Sequence, residues 1–316
     1  MSNVNHVQFP NLGGLEITID NVAFKIFGLP VYWYGIIISL GFIVAVVLAM
    51  RDSKNFGIEP DNVIDLVLFA APLSIIGARL YYVIFNWSEF QGDILAIINI
   101  RTGGLAIYGG IITAVLVTYF FSKAKKIDVL KLLDMGSPYL ILAQAIGRWG
   151  NFINQEAFGV NTNLPWGMTS ETIKAQLSIM RDSGMNVNPE LPVHPTFLYE
   201  SLWNLGVFLF LMWFRKHKKL RGEVFLGYVI LYGAGRTWIE GLRTDSLMLG
   251  PFRISQVLSV IFTVVCTIVF LVRRRKNSQS QEEMGQISEY NAILMEVKGE
   301  KEIDKDTDLK NDDEEL

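Results

Sequence analysis

The sequence predicts an all-α polytopic membrane protein with seven transmembrane helices, the N-terminus outside and the C-terminus inside, and a small extracytoplasmic hairpin and loop region. Three observations predict it. Only 19% of the 316 residues are charged and 51% are hydrophobic, whereas soluble chains carry about a quarter charged residues. The apolar residues gather into runs long enough to cross a bilayer core of about 30 Å, which takes about 20 residues of helix. Basic residues gather after alternate runs, as expected of a chain that keeps Lys and Arg on the cytoplasmic side.

Residues 1–30 form an extracytoplasmic segment. They lack a basic start followed by an apolar core, so they do not read as a cleavable signal peptide. ITIDNVAFKIFG alternates apolar and polar residues around Asp20–Asn21, the pattern of a small hairpin. Residues 31–272 hold the spans. The runs 31–50, 105–122 and 254–272 contain no charged residue. Four others are apolar but interrupted: 63–85 by Asp65, Pro72 and Arg79, and 132–147 by Asp134 and Pro138. The run 196–214 contains Glu200, and 224–240 contains Arg236 and Glu240. Between the fourth and fifth spans lies a polar external loop, 148–195, in which SETIKAQLSIMRDSG predicts a short helix capped by Ser170. Beyond the last span, 273–316 reads as an acidic, disordered cytoplasmic tail.

Charge fixes the expected orientation. The ends of the odd-numbered spans carry 15 basic residues, including RKHKKLR and RRRK, and the opposite face carries seven: Lys25, Arg101, Arg148, Lys174, Arg181, Arg243 and Arg253. The net charge of −3 hides a division, because 281–316 holds 13 of the 31 acidic residues and four lysines. The remaining body is mildly basic and hydrophobic, without the Lys/Arg clusters on a polar surface that nucleic-acid binding needs. The one cysteine, Cys266, and three histidines, with no HExxH, argue against an intramolecular disulfide or a metal site and imply no cofactor.

Ionisable groups inside spans are costly and usually functional. With the N-terminus outside, most of them fall in the outer half of the bilayer. Arg236 lies twelve residues past Val224, about 18 Å from the inner face at 1.5 Å per residue. Glu240 ends the same helix, Arg148 ends the fourth span, and Tyr34, Tyr108, Tyr199 and Glu200 begin inward-running helices. Tyr232, Arg236 and Glu240, four apart, share one face; Glu240 fits a partner that neutralises Arg236 as well as a chemical role. Arg79 reads as a structural or snorkelling cation, and Asp65 and Asp134 as helix-start groups near the cytoplasm. Cys266 reads as a packing residue. The densest polar cluster is GRWGNFINQEAFG, residues 147–159. A guanidinium fork there suits a phosphate in a poorly hydrated place, Asn151 and Asn154 add neutral donors, and the glycines permit close backbone approach. RTGGLAIYGG (101–110) and HPTFLYE (194–200) start two further spans; their glycines and His194 also fit purely structural roles.

GRWGNFINQEAFG closely resembles the signature of the prolipoprotein diacylglyceryl transferase family. WYG at 33–35, GAR at 77–79, GGLAIYGG at 103–110, HPTFLYE at 194–200 and the Tyr232/Arg236/Glu240 ladder follow in the family's order. The resemblance covers about residues 15–272 and leaves the tail outside. It implies a bacterial cytoplasmic-membrane enzyme, active toward the outer leaflet. Such an enzyme moves the diacylglyceryl group of phosphatidylglycerol to the lipobox cysteine thiol of preprolipoprotein signal peptides, forming a thioether and releasing glycerol phosphate. By the same resemblance Arg148 binds the lipid phosphate and Arg236 is a second essential cation. Asn151, Glu156, Gly159, Tyr34 and Glu240 match further positions linked to activity or site integrity. The expected catalytic set is therefore Arg148, Arg236, Tyr108, Tyr34 and Glu240. The expected lipid-binding set adds Asn151, Asn154, Glu156, Gly159, Gly103, Gly104 and Tyr232.

One position departs from the pattern. Some family members carry histidine where this chain has Tyr108, and that histidine has been proposed to deprotonate the thiol. A phenol with pKa about 10 is a poor base at neutral pH. A free thiol with pKa about 8.5 costs only about 2 kcal/mol to ionise at pH 7, whereas losing one oriented donor to a developing anion costs about 2.7–4 kcal/mol. Leaving-group electrostatics are thus expected to dominate, with Tyr108 orienting substrate. The rival classes are a lipid transporter or flippase, weakened by the absence of repeat symmetry and the one-sided depth of the arginines, and an intramembrane protease, for which no aspartyl pair or serine–histidine motif stands out.

Overall fold

The computed structural model describes residues 4–100, 103–245, 248–281 and 284. The chain divides into two compact units, Met1–Cys266 and Thr267–Leu316, and the functional geometry lies in the first. Its helices are α1 (Trp33–Ser53), α2 (Pro60–Phe85), α3 (Ile94–Ile98), α4 (Ile107–Lys125), α5 (Val129–Asn154), α6 (Glu171–Asp182), α7 (Thr196–Phe214) and α8 (Glu223–Leu242). A ninth, α9 (Ile254–Gln281), starts in this unit and runs past the apolar stretch that ends at Val272. The tail expected to be disordered from residue 273 is therefore helical as far as Gln281; beyond it only Met284 is described, and the rest of the tail, with Arg101, lies outside the described residues.

The protein is a polytopic membrane protein: among the described residues six helices, α1, α2, α4, α5, α7 and α9, are long and apolar enough to cross a bilayer. The seventh expected span is α8, a helix of 20 residues whose Glu223, Arg236, Glu240 and four glycines lower its apolarity. Local signals set several boundaries as the sequence implies. Pro60 opens α2, Asp128 caps α5 by accepting from Leu130 N, and Ser170 caps α6 by accepting from Ile173 N. Pro72 and Pro138 sit inside α2 and α5; Pro138 is buried, where neighbouring helices shield the freed backbone groups, whereas Pro72 lies on an exposed face.

α5 is the central helix. It packs on α1, α7 and α8, while α4 packs on α2. The α2–α4 contact is close enough that a Cβ on Gly109 would stand 2.4 Å from the Gly77 carbonyl oxygen. At one end of the bundle Ala49, Ile58, Val63, Leu132, Met135 and Tyr139 form a core. Asp134 is fully buried beside it. Its Oδ1 accepts from Val224 N and Phe225 N at 3.0 and 3.1 Å, and its Oδ2 accepts from Gly222 N and Lys218 Nζ, both at 2.8 Å. It therefore caps the first turn of α8 rather than its own helix. Asp65 pairs with Lys125 at 2.8 Å.

At the other end, Val7, Ile19, Phe152, Phe158, Met168, Ile173, Leu177, Val193 and Phe197 form a separate core that ties the N-terminal strands and α6 to the ends of α5 and α7. The expected single hairpin about Asp20–Asn21 is instead two. Strands β1 (Val4–Phe9) and β2 (Leu15–Asp20) pair antiparallel, as do β3 (Val22–Ile26) and β4 (Leu29–Tyr32). Asp20 Oδ1 accepts from Val22 N at 2.8 Å, which makes a bend between hairpins. The reversals fall at Gly13–Gly14 and Phe27–Gly28, all with positive φ. A short pair, β5 (Met248–Leu249) with β6 (Phe252–Arg253), joins α8 to α9.

Candidate active site

The segment 147–159 folds as a helix end followed by a tight loop. Gln155 and Ala157 both adopt left-handed backbone, so the chain leaves α5 and turns back across its own last turn. This aims Arg148, Asn151 and Glu156 to one side. Asn151 Oδ1 accepts from Arg148 Nη1 at 3.2 Å, and Asn151 Nδ2 donates to Glu156 Oε1 at 2.8 Å. The carboxamide thus holds a cation and a carboxylate in fixed relation, using both of its polar atoms.

Arg148 and Arg236 meet on one carboxylate. Glu200, near the start of α7, lies 2.5 Å from Arg148 Nη2 through Oε1 and 3.1 Å from Arg236 Nη1 through Oε2. Arg236 Nη2 also reaches Glu240 Oε2 at 2.6 Å, one turn on along α8. Arg243 approaches the same oxygen at 3.9 Å and pairs with Asp245 at 2.8 Å; Arg253 Nη1 donates to the Glu240 carbonyl. The Glu200 and Glu240 side chains are 4% and 2% exposed, against 21% and 15% for Arg148 and Arg236. The carboxylates are therefore the floor and the guanidiniums the accessible face. Burial alone would raise the Asp245 carboxyl, but the Arg243 guanidinium beside it holds it below the usual carboxylate range.

The structure brings most expected residues to this cluster. Tyr232, one turn before Arg236, is partly buried within the fields of Glu200, Arg236, Arg148 and Glu240. Tyr34 feels Glu156 and Arg148 and packs so tightly on α5 that a Cβ on Gly150 would lie 2.8 Å from its ring. Asn154 and Tyr34 line a groove of about 890 Å³ with Asn21, Ser39 and the apolar Ile36, Leu40 and Ile43. Gly159 threads between α7 and α8. Its N–H donates to the His194 carbonyl at 2.9 Å, and an added Cβ would stand 2.8 Å from His194 Cβ and 3.0 Å from the Leu242 carbonyl.

Three expected residues sit elsewhere. The Tyr108 hydroxyl lies 3.2 Å from Ser255 Oγ on α9. Gly103 and Gly104 present their carbonyls to Arg79 Nη1 at 2.8 and 2.9 Å. Arg79 also donates to the carbonyls of Ile97 and Ala96 at 2.8 and 2.6 Å and stacks on Phe90. At 5% exposure it is a structural cation that fastens α3 and the glycine loop to α2. His194, whose pKa burial lowers, hydrogen-bonds the Tyr199 hydroxyl at 3.1 Å, and that hydroxyl accepts from Trp166 Nε1. Glu200, the hub, is absent from the expected set. Its signal was present in HPTFLYE as the one carboxylate of an otherwise apolar run.

The same stretch of chain that builds this cluster is matched by relatives. A family model described as prolipoprotein diacylglyceryl transferase matches residues 21–272. The phosphatidylglycerol--prolipoprotein diacylglyceryl transferase of Clostridioides difficile (strain 630) is 46% identical over 266 residues, 84% of this chain and 100% of that protein. The proteins of the same name from Finegoldia magna and Bacillus cereus (strain B4264) are 44% and 46% identical, each over 84% of this chain and 100% and 95% of their own lengths. The match spans α1 to the apolar part of α9, so the paired arginines, their carboxylates and the signature loop all lie inside it, and the chain belongs to the prolipoprotein diacylglyceryl transferase family.

Proposed function

We propose that this chain transfers the diacylglyceryl group of phosphatidylglycerol to the lipobox cysteine thiol of preprolipoproteins, at the outer leaflet of the bacterial cytoplasmic membrane. The bond from the glyceryl carbon to the phosphate oxygen breaks, the carbon–sulfur bond forms, and glycerol phosphate leaves with the electron pair. The thiol proton is released, and the reaction balances without a cofactor or metal. In this reading α8 is the sixth of seven spans and the N-terminus is outside. Residues 31–272 form the catalytic domain, 1–30 an extracytoplasmic segment and 273–316 a cytoplasmic tail.

One observation carries the proposal: two guanidiniums from different helices converge on a single buried carboxylate. Arg148, Arg236, Glu200 and Glu240 balance in charge, so the pocket is stable empty in a poorly hydrated place. Each guanidinium has five N–H groups and keeps donors free for a phosphate. As the leaving phosphate gains charge these fixed donors hold it without reorganising, an effect worth about 2.7–4 kcal/mol per donor. Asn151 and Glu156 keep Arg148 aimed, and Tyr34 and Tyr232 wall the site. Tyr108, hydrogen-bonded to Ser255, orients the acceptor or the lipid rather than taking the proton.

The test uses membranes containing the protein, phosphatidylglycerol labelled in the glyceryl group, and a lipobox peptide. Label on the peptide supports the transferase; label movement without peptide modification overturns it in favour of a lipid transporter. Arg148→Lys keeps the charge and loses the fork. It is expected to lower transfer at least about a hundredfold at normal expression, and near-normal transfer by Arg148→Lys would overturn the assigned phosphate contact.

A further inference from the structure

A neutral polar layer lies directly beneath the ion cluster. Asn204 follows Glu200 by four residues on α7, Gln144 precedes Arg148 by four on α5, and Tyr232 and Tyr228 precede Arg236 by four and eight on α8. Residues four apart share a helix face, and four residues advance about 6 Å. Asn204 is fully buried, and among the described residues neither its Nδ2 nor its Oδ1 has a hydrogen-bond partner. Gln144 Nε2 donates to the Tyr228 hydroxyl at 3.3 Å, while its buried Oε1 has no partner among the described residues. Tyr228 in turn stacks on Tyr232 at 5.8 Å. The helices that carry these groups pack on one another.

Buried amides are ordinarily paired, whereas these three atoms, on facing helices one turn below the ion cluster, have no hydrogen-bond partner among the described residues. Nearby Ser201 and Trp203 show the ordinary outcome, with Ser201 Oγ donating to the Ala145 carbonyl and Trp203 Nε1 to the Leu231 carbonyl. A leucine at 204 would leave no buried polar atom unpaired. We propose that Asn204 and Gln144 form a hydroxyl-binding subsite for the polyol end of the phosphatidylglycerol headgroup. The inference rests on the transferase reading above and assigns these two residues as determinants of headgroup specificity.

A phosphate on Arg148 and Arg236 sets the headgroup's free hydroxyls about one helical turn away, which matches the depth of this layer. Each hydroxyl donates one hydrogen bond and accepts others. Asn204 supplies both a donor and an acceptor, and Gln144 Oε1 supplies a second acceptor. An ethanolamine headgroup offers donors alone and leaves Asn204 Nδ2 unpaired. A buried water has the same hydroxyl chemistry, so the experiment must separate water from polyol.

The comparison is between the full-length wild type, Asn204→Leu and Gln144→Leu. Each transfers to a lipobox peptide from phosphatidylglycerol and from phosphatidyl-1,3-propanediol, which lacks one headgroup hydroxyl. The wild type is expected to lose at least about tenfold in kcat/KM on the deoxy lipid. Asn204→Leu is expected to lose about tenfold on phosphatidylglycerol, mainly in KM, and to treat the two lipids alike within about twofold. Its thermal midpoint in detergent stays level or rises. Variants that keep the full wild-type preference for the intact headgroup overturn the subsite and leave the amides to internal water. A wild type indifferent to the missing hydroxyl also overturns it. If Asn204→Leu fails to fold, Gln144→Leu reads the same preference independently. Failure of the wild type to label the peptide at all sinks the transferase reading instead.

Discussion

Glu200 holds two cations and is itself almost sealed from solvent, so its charge and its shape do different jobs. Its charge balances Arg148 and Arg236; its two oxygens set where their forks point. Glu200→Gln keeps the shape but replaces one acceptor oxygen by a donor facing a guanidinium. Transfer is expected to fall at least about tenfold with Arg148 and Arg236 intact, because removing one partner leaves the others uncompensated. The measurement is kcat/KM beside a thermal midpoint; an unchanged kcat/KM would remove Glu200 from the organising role. Tyr108 makes the contrasting case. Its visible partner is Ser255, outside the ion cluster, and a neutral hydrogen bond is worth about 0.5–1.5 kcal/mol. Tyr108→Phe should therefore slow transfer by less than about tenfold, against near abolition in Arg148→Ala. Equal loss in two folded variants would restore a chemical role to the phenol. The difference in legibility among these residues has a plain cause. Arg148, Asn151 and Glu156 are neighbours in sequence and interact as neighbours, whereas Glu200 gains its partners from helices 36 and 52 residues away, a relation that no local pattern contains.

Helices in lipid gain little from hiding apolar surface, so close packing must hold them together. The contact between α2 and α4 depends on Gly77 and Gly109, whose backbones touch where any Cβ would intrude. Gly109→Ala sets a methyl 2.4 Å from a carbonyl oxygen, and backbone cannot move aside as a flexible side chain does. A loss of about 1–3 kcal/mol is expected, read as a lower thermal midpoint and lower yield in detergent; an unchanged midpoint would mean that the two helices separate freely. The paired glycines of 103–110 thus divide between two tasks, Gly109 in packing and Gly103–Gly104 in receiving Arg79. Length and apolarity made the long helices legible, because each is a property of one segment. The hairpins were misplaced because alternation identifies strands but not which strands pair, and Asp20 bends the chain where a reversal was expected. The capping of α8 by Asp134 was equally hidden, since it joins groups 88 to 91 residues apart.

At the scale of the molecule, the proposal depends on which side of the bilayer the guanidiniums face. The proposed outward-facing cluster rests on the basic residues at the ends of the odd-numbered spans, which outnumber those opposite by 15 to seven. The less apolar α8 fits as a crossing helix because its polar groups are covered by protein. Glu223 and Glu240 are 1% and 2% exposed, and burial against α5 and α7 replaces the apolarity that lipid contact would require. The single cysteine makes this testable: Cys266→Ser removes it, and exposed residues in three connecting segments then accept cysteines one at a time. Ser183 follows α6, Lys216 lies between α7 and α8, and Phe252 lies between α8 and α9. A membrane-impermeant maleimide applied to intact cells is expected to label Ser183→Cys and Phe252→Cys, with Lys216→Cys reacting only after the membrane is opened. Equal labelling of Lys216→Cys and Phe252→Cys would mean that α8 does not cross. A fully inverted pattern would face Arg148 and Arg236 to the cytosol, away from the leaflet in which a signal peptide's lipobox emerges, and the arginine-centred mechanism would fall with it.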